Sequence, residues 1–213
     1  KTQSSPLNIQ YIIDAFAADE EEPSTPINLK VSSLILRHVD VTYDVLSKRQ
    51  KTDTLDVNHL HLSNIGLTAS IRAFTEDSLN VSVRRLNFTE KHSGLTLKNL
   101  ATSVAGNRHS ATMDSLVLET PKSLVRIGTV NARYGQKEQL KLHSLTASLL
   151  PSFILPSEWK PLLPQLALLD FPLQLEGSID ADEHQLRIDN FNLNSDDHSI
   201  ALTTRARVLD WQG

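Results

Sequence analysis

Two pairs of residues in the chain have the spacing of a chemical site. His59 and His61 form an H-x-H pair, which on one strand puts both imidazoles on the same side and is one way to hold zinc. His38 and Asp40 stand two apart in LILRHVDVTYDV, the spacing of a fragment of a metal or catalytic site. Neither pair is completed. Leu60 and Leu62 are the apolar positions of the first stretch, so both of its histidines are expected to face solvent, and no third ligand follows at a suitable spacing. His38 and Asp40 lie between apolar runs, where a turn or kink and a solvated face are expected. Nucleophile signatures are missing: there is no G-x-S-x-G, no cysteine and no phosphate-cradling glycine loop. Asp196-Asp197 and the Asp180/Asp182 pair fall in expected turns, where solvated carboxylates are normal. Asn80-Val81-Ser82 and Asn87-Phe88-Thr89 match the glycosylation signal but lie inside expected strands. No enzyme, metal or cofactor is expected.

Bulk composition narrows the classes further. With 39% hydrophobic and 22% charged residues, the chain suits an ordinary folded protein. A net charge of −4, with no basic run longer than two, argues against nucleic acid as a partner. The absence of cysteine removes disulfides and thiolate metal sites. No apolar run reaches the ~20 residues of a membrane span. The nearest, Leu149–Leu169, is broken by Glu158, Lys160 and four prolines. The chain reads as a piece of something longer.

The elements that would carry a function are strands. Residues 1–26 read as an amphipathic helix, with Ile9, Ile12, Ile13 and Phe16 at helical spacing, followed by an acidic linker. From residue 27 to 149 the pattern alternates with period two. Within it one spacing recurs, apolar at positions 0, 2, 5 and 7. It appears as Leu29, Val31, Leu34, Leu36, then Leu55, Val57, Leu60, Leu62, then Val81, Val83, Leu86, Phe88. Later copies are Leu95–Thr102, Ala111–Leu118 (with Leu116 and Leu118), Val125–Ala132 (with Ile127) and Leu140–Ala147 (with Leu142). After an interruption at 150–172 comes Leu186, Ile188, Phe191, Leu193.

The first copies start 26 residues apart, a plausible hairpin, and the later ones 14 to 16 apart, one strand plus a turn. Val39, Val41, Tyr43 and Val45 also match Ile65, Leu67, Ala69 and Ile71 at a distance of 26. The step of three inside each copy would swap faces, because strand side chains alternate. Either a β-bulge absorbs one residue or the strand ends there. Small or polar residues in the gap, such as Ser32-Ser33 and Asn58-His59, favour the bulge. Bulges at matching places would twist and curve the sheet.

The interruption can form a short helix over 161–169, with Leu162, Leu163, Leu166 and Leu169 on one side and Trp159 and Phe153 as anchors. It would cover part of the sheet or cap one end of it; a gate or a membrane-surface contact is the other use. Residues 173–213 return to an antiparallel meander that continues the sheet. The fold class expected is therefore mainly β: an elongated, twisted antiparallel sheet curled into an apolar groove, with one or two short amphipathic helices.

The run Leu29 to Asp44, L-x-V-x-x-L-x-L then V-x-V-x-Y-D, resembles the strand unit of the AsmA/TamB family of Gram-negative envelope proteins. The tail LQLEGSID…LRIDNFNLNSDDHSIALTTRARV is similar to that family's meander, and NIQYIIDAF with its acidic spacer to its amino-terminal part. The likeness runs from about Leu7 to Leu209, with Arg37-His38 standing where a small or Asn-Gly turn is usual. It implies a periplasmic body, anchored in the inner membrane through a segment outside this chain. It also implies a hydrophobic groove for phospholipid or another acyl-chain lipid, and an outer-membrane barrel protein as partner in outer-membrane biogenesis. The residues expected to line the groove are Leu29, Val31, Leu34, Leu36, Val39, Val41, Tyr43, Leu55, Val57, Leu60, Leu62, Val81, Val83, Leu86, Phe88, Leu116, Leu118, Val125, Ile127, Leu140, Leu142, Leu186, Ile188, Phe191 and Leu193. The alternative is a structural or adhesin-like β-sandwich or solenoid with no lipid ligand.

Overall fold

The computed structural model describes residues 28–211 apart from 52, 53, 76, 138, 197 and 198, with 136, 137 and 139–141 described by backbone alone. The expected helix at 7–18 and its acidic linker lie outside the described residues. The strands are β1 (Val31–Asp44), β2 (His59–Phe74), β3 (Ser78–Glu90), β4 (Thr96–Asn107), β5 (Ser110–Glu119) and β6 (Leu124–Ile127). They continue as β7 (Val130–Lys137), β8 (Gln139–Ile154), β9 (Leu173–Asp182), β10 (Gln185–Ser195) and β11 (Ala201–Leu209). All belong to one antiparallel sheet of 11 strands in chain order, with β6 and β7 forming a single interrupted strand between β5 and β8.

The step of three in the apolar spacing is absorbed as the bulge reading requires. Val31 and Leu34 stand opposite Ile71 and Ala69, so β1 spends one extra residue at Ser32-Ser33. Val83 and Leu86 face Thr102 and Leu100, with Arg84-Arg85 in the gap. Met113 and Leu116 face Val104 and Thr102, and Ile188 and Phe191 face Ala206 and Thr204. Between Ile127 and Val130 the strand breaks instead, at Gly128-Thr129. Each bulge returns the apolar residues on either side of it to one face.

Three departures from the sequence reading concern the amino-terminal half and the interruption. The first 26-residue unit is not a hairpin: Leu34 to Asp44 lie in the single strand β1, and of the turn or kink expected near His38 the kink is found, as a second bulge. His38 adopts φ of 53° and Asn64, at a bulge on β2, φ of 54°. This left-handed backbone is tolerated better by His and Asn than by β-branched residues. The copy at 55–62 is not one bulged strand, because β2 begins only at His59. The interruption starts after Ile154 and forms two single 3₁₀ turns, Pro156–Trp159 and Pro164–Leu168, instead of an amphipathic helix. Prolines 156, 161 and 164 remove amide donors at a spacing too close for consecutive α-turns.

The strand ends make two rims. The first carries the turns 45–58, 91–95, 120–123 and 196–200 and the segment 155–172; the second carries the turns at the other strand ends. Packing is densest at the first rim. Leu155, Leu173 and Pro156 are buried there, as are the polar residues Asp56, His59, Glu90, Thr120, Ser123 and Ser195. Each of these polar groups is satisfied inside a turn or between turns. Ser195, for instance, accepts from Ile200 N through its hydroxyl at 2.9 Å.

Candidate functional site: an uncovered apolar sheet face

Register pairing shows how far one apolar face extends. Val31, Ile71, Val81, Val104, Met113 and Val130 stand opposite one another across β1 to β7. Leu36, Leu67, Leu86, Leu100, Leu118 and Val125 form a second row from β1 to β6. Ala147, Ile179, Ile188 and Ala206 continue from β8 to β11. Tyr43 and Leu60 pair near the first rim, as do Val41 and Leu62, and Val39 and Ile65. Phe88 pairs with Leu97, and Leu193 lies between Leu175 and Leu202.

No second layer covers these rows among the described residues. Besides Pro156 and Pro161, only Ile65, Ala69, Leu155, Leu173 and Ala181 are buried apolar side chains there. Most of the rest are half-buried, and Leu34, Val41, Leu202 and Val208 near the sheet edges are exposed. In contact with water, so continuous an apolar strip is seldom left uncovered without a function for it.

The face deepens into a cleft of about 430 Å³ over β6 and β8–β11, lined by Ile127, Ala147, Leu149, Gly177, Ile179, Ile188, Phe191 and Thr204, with Ser148 and Ser178 beside them. Gly177 makes room for it: a Cβ there would stand 3.1 Å from Phe191 Cα and Cδ2. The phenyl ring therefore lies over bare backbone. This lining is hydrocarbon with no ionisable group. A depression of about 440 Å³ elsewhere, lined by Arg126, Gln174, Glu176, Asn192, Asn194 and Asp196 with Phe153, is its polar counterpart. There the Arg126 guanidinium already donates to Pro151 O at 2.6 Å.

Most of the expected lining residues share the apolar face, and two are placed elsewhere. Leu55 and Val57 are off the sheet, in the β1–β2 loop, and Val57 is 67% exposed. The Leu140 side chain lies outside the described residues. Leu29 precedes β1 but extends its pairing, donating from its amide to Phe74 O at 3.0 Å. Ala147, Leu149, Gly177 and Ile179 form much of the cleft yet were not among the expected lining. Their signal was the unbroken alternation Leu145, Ala147, Leu149 and Leu173, Leu175, Gly177, Ile179.

The two chemical candidates resolve into structural roles. His38 Nδ1 lies 2.6 Å from Asn64 Oδ1, and Asp40 Oδ1 accepts from Asn64 N at 2.8 Å, so the pair braces the neighbouring bulge. His59, expected to face solvent, is buried beneath the β1–β2 loop. Its Nδ1 meets Asp44 Oδ1 and its Nε2 meets Lys48 O, each at 3.0 Å. A carboxylate and a carbonyl both accept, so both ring nitrogens donate and the imidazolium is favoured. The Asp44 bond raises the His59 pKa, against the opposing effect of burial and with help from Lys48 O. His61 stacks at a tilt on His92, 5.8 Å between centroids, rather than joining His59. Among the described residues no three His, Asp or Glu converge on a metal site.

A strap, residues 155–172, closes part of the first rim. Glu158 accepts from Thr120 Oγ1 at 2.5 Å, Ser123 Oγ at 2.7 Å and Lys122 N at 2.8 Å. Trp159, one of the two expected anchors, donates from Nε1 to Ser123 Oγ at 3.4 Å; the other, Phe153, is exposed. Further along, Leu55 N donates to Pro161 O at 2.7 Å, which ties the β1–β2 loop to the segment after β8. No family model, no curated protein and no solved structure matches the chain.

Proposed function

We propose that the chain is a non-enzymatic, lipid-shielding segment of an AsmA/TamB-like envelope protein, with its apolar sheet face serving as a track for acyl chains. The observation that carries this reading is the apolar face itself: it runs in register across the whole sheet, has no protein layer over it among the described residues and deepens into a hydrocarbon cleft. An acyl chain laid there gains roughly 0.8 kcal/mol for each methylene removed from water. No ionisable group in the cleft has to be desolvated in exchange. The polar headgroup would stay toward solvent, as the open face permits.

On this reading the protein works in the periplasm. It carries phospholipid, or supports outer-membrane assembly with a barrel partner, and an inner-membrane anchor lies elsewhere in the full protein. A closed sandwich or solenoid would need a second sheet over these rows, and the described strands all belong to one. The test is capture of lipid on the face. Photo-crosslinking residues at Leu86 and Ile188 should trap lipid in cells, and native mass spectrometry of the purified chain should show lipid adducts that Ile188→Asp removes. Chains that never carry lipid at either position would refute the proposal.

A further inference from the structure

An aromatic ring stands on the sheet face opposite the apolar rows. On β8 and β9, Leu149 pairs with Gly177 and Ser152 with Leu175, and a bulge at Leu150-Pro151 keeps all four on the apolar side. Phe153 is one residue further on, so it projects to the other side together with its partner Gln174. Its ring is 44% exposed, at the margin of the polar depression of about 440 Å³. Two neighbouring cross-strand rows build the floor of that depression. Phe153, Gln174 and Asn194 stand opposite one another on β8, β9 and β10, and Glu176, Asn192 and Thr203 on β9, β10 and β11.

Hydrogen bonds fix these groups without exhausting them. Gln174 Nε2 donates to Asp196 Oδ1 at 3.0 Å, Asn192 Nδ2 to Glu176 Oε1 at 2.9 Å, and Thr203 Oγ1 to Asn192 Oδ1 at 2.9 Å. Arg126 is held at the side, donating through Nε and Nη2 to Pro151 O at 3.1 and 2.6 Å. Glu176 Oε2, Asp196 Oδ2 and Arg126 Nη1 are left over, and the Asn194 carboxamide makes no side-chain hydrogen bond among the described residues. Acceptors, donors and an open ring therefore share one depression, of a size within the range of about 300–1,000 Å³ that small-molecule sites occupy. That mixture selects the ligand. An anion would meet two carboxylates, Glu176 and Asp196, against the single guanidinium of Arg126. A simple cation carries only donors and would leave Arg126 and the Asn194 amide without an acceptor. An apolar guest would strip water from polar groups and return no bonds. A hydroxyl both donates and accepts, and a sugar adds a flat C–H surface that can lie on a phenyl ring.

We infer that this depression is a binding site for a neutral saccharide. One pyranose ring lies on Phe153, and its hydroxyls bond the Asn194 carboxamide and the remaining oxygens of Glu176 and Asp196. The site is on the face opposite the apolar rows, so it stands whether or not those rows carry lipid.

Amide NMR titration of the whole chain tests it, with two neutral trimers, maltotriose and triacetylchitotriose, and two charged ones, deacetylated chitotriose and trigalacturonate. At least one neutral trimer should give saturable shifts confined to 151–153, 174–176 and 192–196. Phe153→Ala should lower its affinity about tenfold, the contribution of one stacked ring. Phe153→Leu keeps an apolar side chain but no flat face, and should lose as much, while Phe153→Tyr should retain affinity. Asn194→Ala should cost about fivefold, one hydrogen bond. Phe153 is exposed and Asn194 only half-buried, so the urea midpoint should hold in all four variants. Three outcomes overturn the inference: no saturable shift with either neutral trimer at about 10 mM, where even millimolar affinity is visible; a charged trimer bound more tightly than both neutral ones; or full affinity in Phe153→Leu.

Discussion

Glu90 at the end of β3 is 1% exposed, and its carboxylate is the hub of the β3–β4 turn. It accepts from Ser93 N at 2.7 Å, Ser93 Oγ at 2.6 Å, His61 N at 3.1 Å and His92 N at 3.2 Å. Burial by itself would raise its pKa, but the Ser93 bonds first, then the amides of His61 and His92, outweigh it and hold the pKa at about 2 against an ordinary 4.5. At about 1.4 kcal/mol per pH unit, that difference corresponds to about 3 kcal/mol. The pKa is lower in the folded chain, so this stabilisation is complete above pH 4.5 and disappears as pH falls toward 2. Glu90→Gln should cost about 3 kcal/mol at pH 7, because a neutral amide offers fewer acceptor sites and brings donors of its own. The loss should shrink on acidification until the two proteins converge near pH 2. Urea unfolding at pH 7, 4.5 and 3, with a carboxyl-carbon NMR titration of Glu90, measures both quantities. A Glu90 midpoint near 4.5, or a glutamine variant within about 0.5 kcal/mol of wild type at pH 7, would refute the reasoning.

Glu158→Ala should leave the buried Ser123 hydroxyl without an acceptor and Thr120 with its long bond to Ser123 O, and cost about 1–3 kcal/mol, read as faster protease cleavage within 156–169 before global unfolding. His59 has its pKa raised in the folded state, so the protonated bridge to Asp44 and Lys48 O is complete below pH 6.5 and is lost as pH rises through the folded value. Amide exchange in the 45–58 loop, corrected for intrinsic rate, should therefore be slower at pH 5.5 than at pH 8.5, and His59→Gln should remove the difference. Gly177→Val puts a side chain against Phe191 and should both fill the cleft and cost about 1–3 kcal/mol, checked by unfolding and by loss of lipid adducts.

The apolar spacing carries most of the sheet because it records a backbone event. Val83-Arg84-Arg85-Leu86 can keep both apolar ends on one face only if the strand bulges, and the same logic reads correctly at Ser32-Ser33, Asp114-Ser115 and Asp189-Asn190. It fails at Leu55 and Val57, whose spacing is identical. There Asp56 accepts from Asn58 N at 3.0 Å and Lys51 N at 2.9 Å, folding the segment into a loop before pairing can begin. Such local capping competes with strand formation and leaves little trace in hydrophobic periodicity. His59 was misplaced for a related reason: its alternation points it off the apolar face, and only the returning loop buries it. In the strap the apolar spacing suggested one helix. The prolines instead divide it into two 3₁₀ turns, too short to present a single apolar side to the sheet.

Strand order follows chain order throughout, and that has a consequence for how the molecule is held together. A sheet in which every strand adheres only to its sequence neighbours behaves as a zipper: its stability is a sum of adjacent pairings, and it can fray from either edge without undoing the middle. Contacts close in sequence also make assembly fast, since no long loop must be closed before pairing starts. The Leu55–Pro161 bond is an exception that joins distant teeth of the zipper, the β1–β2 loop and the segment after β8. It braces the first rim between strands that share no ladder, while at the second rim Arg108 pairs with Asp77 and links two neighbouring turns.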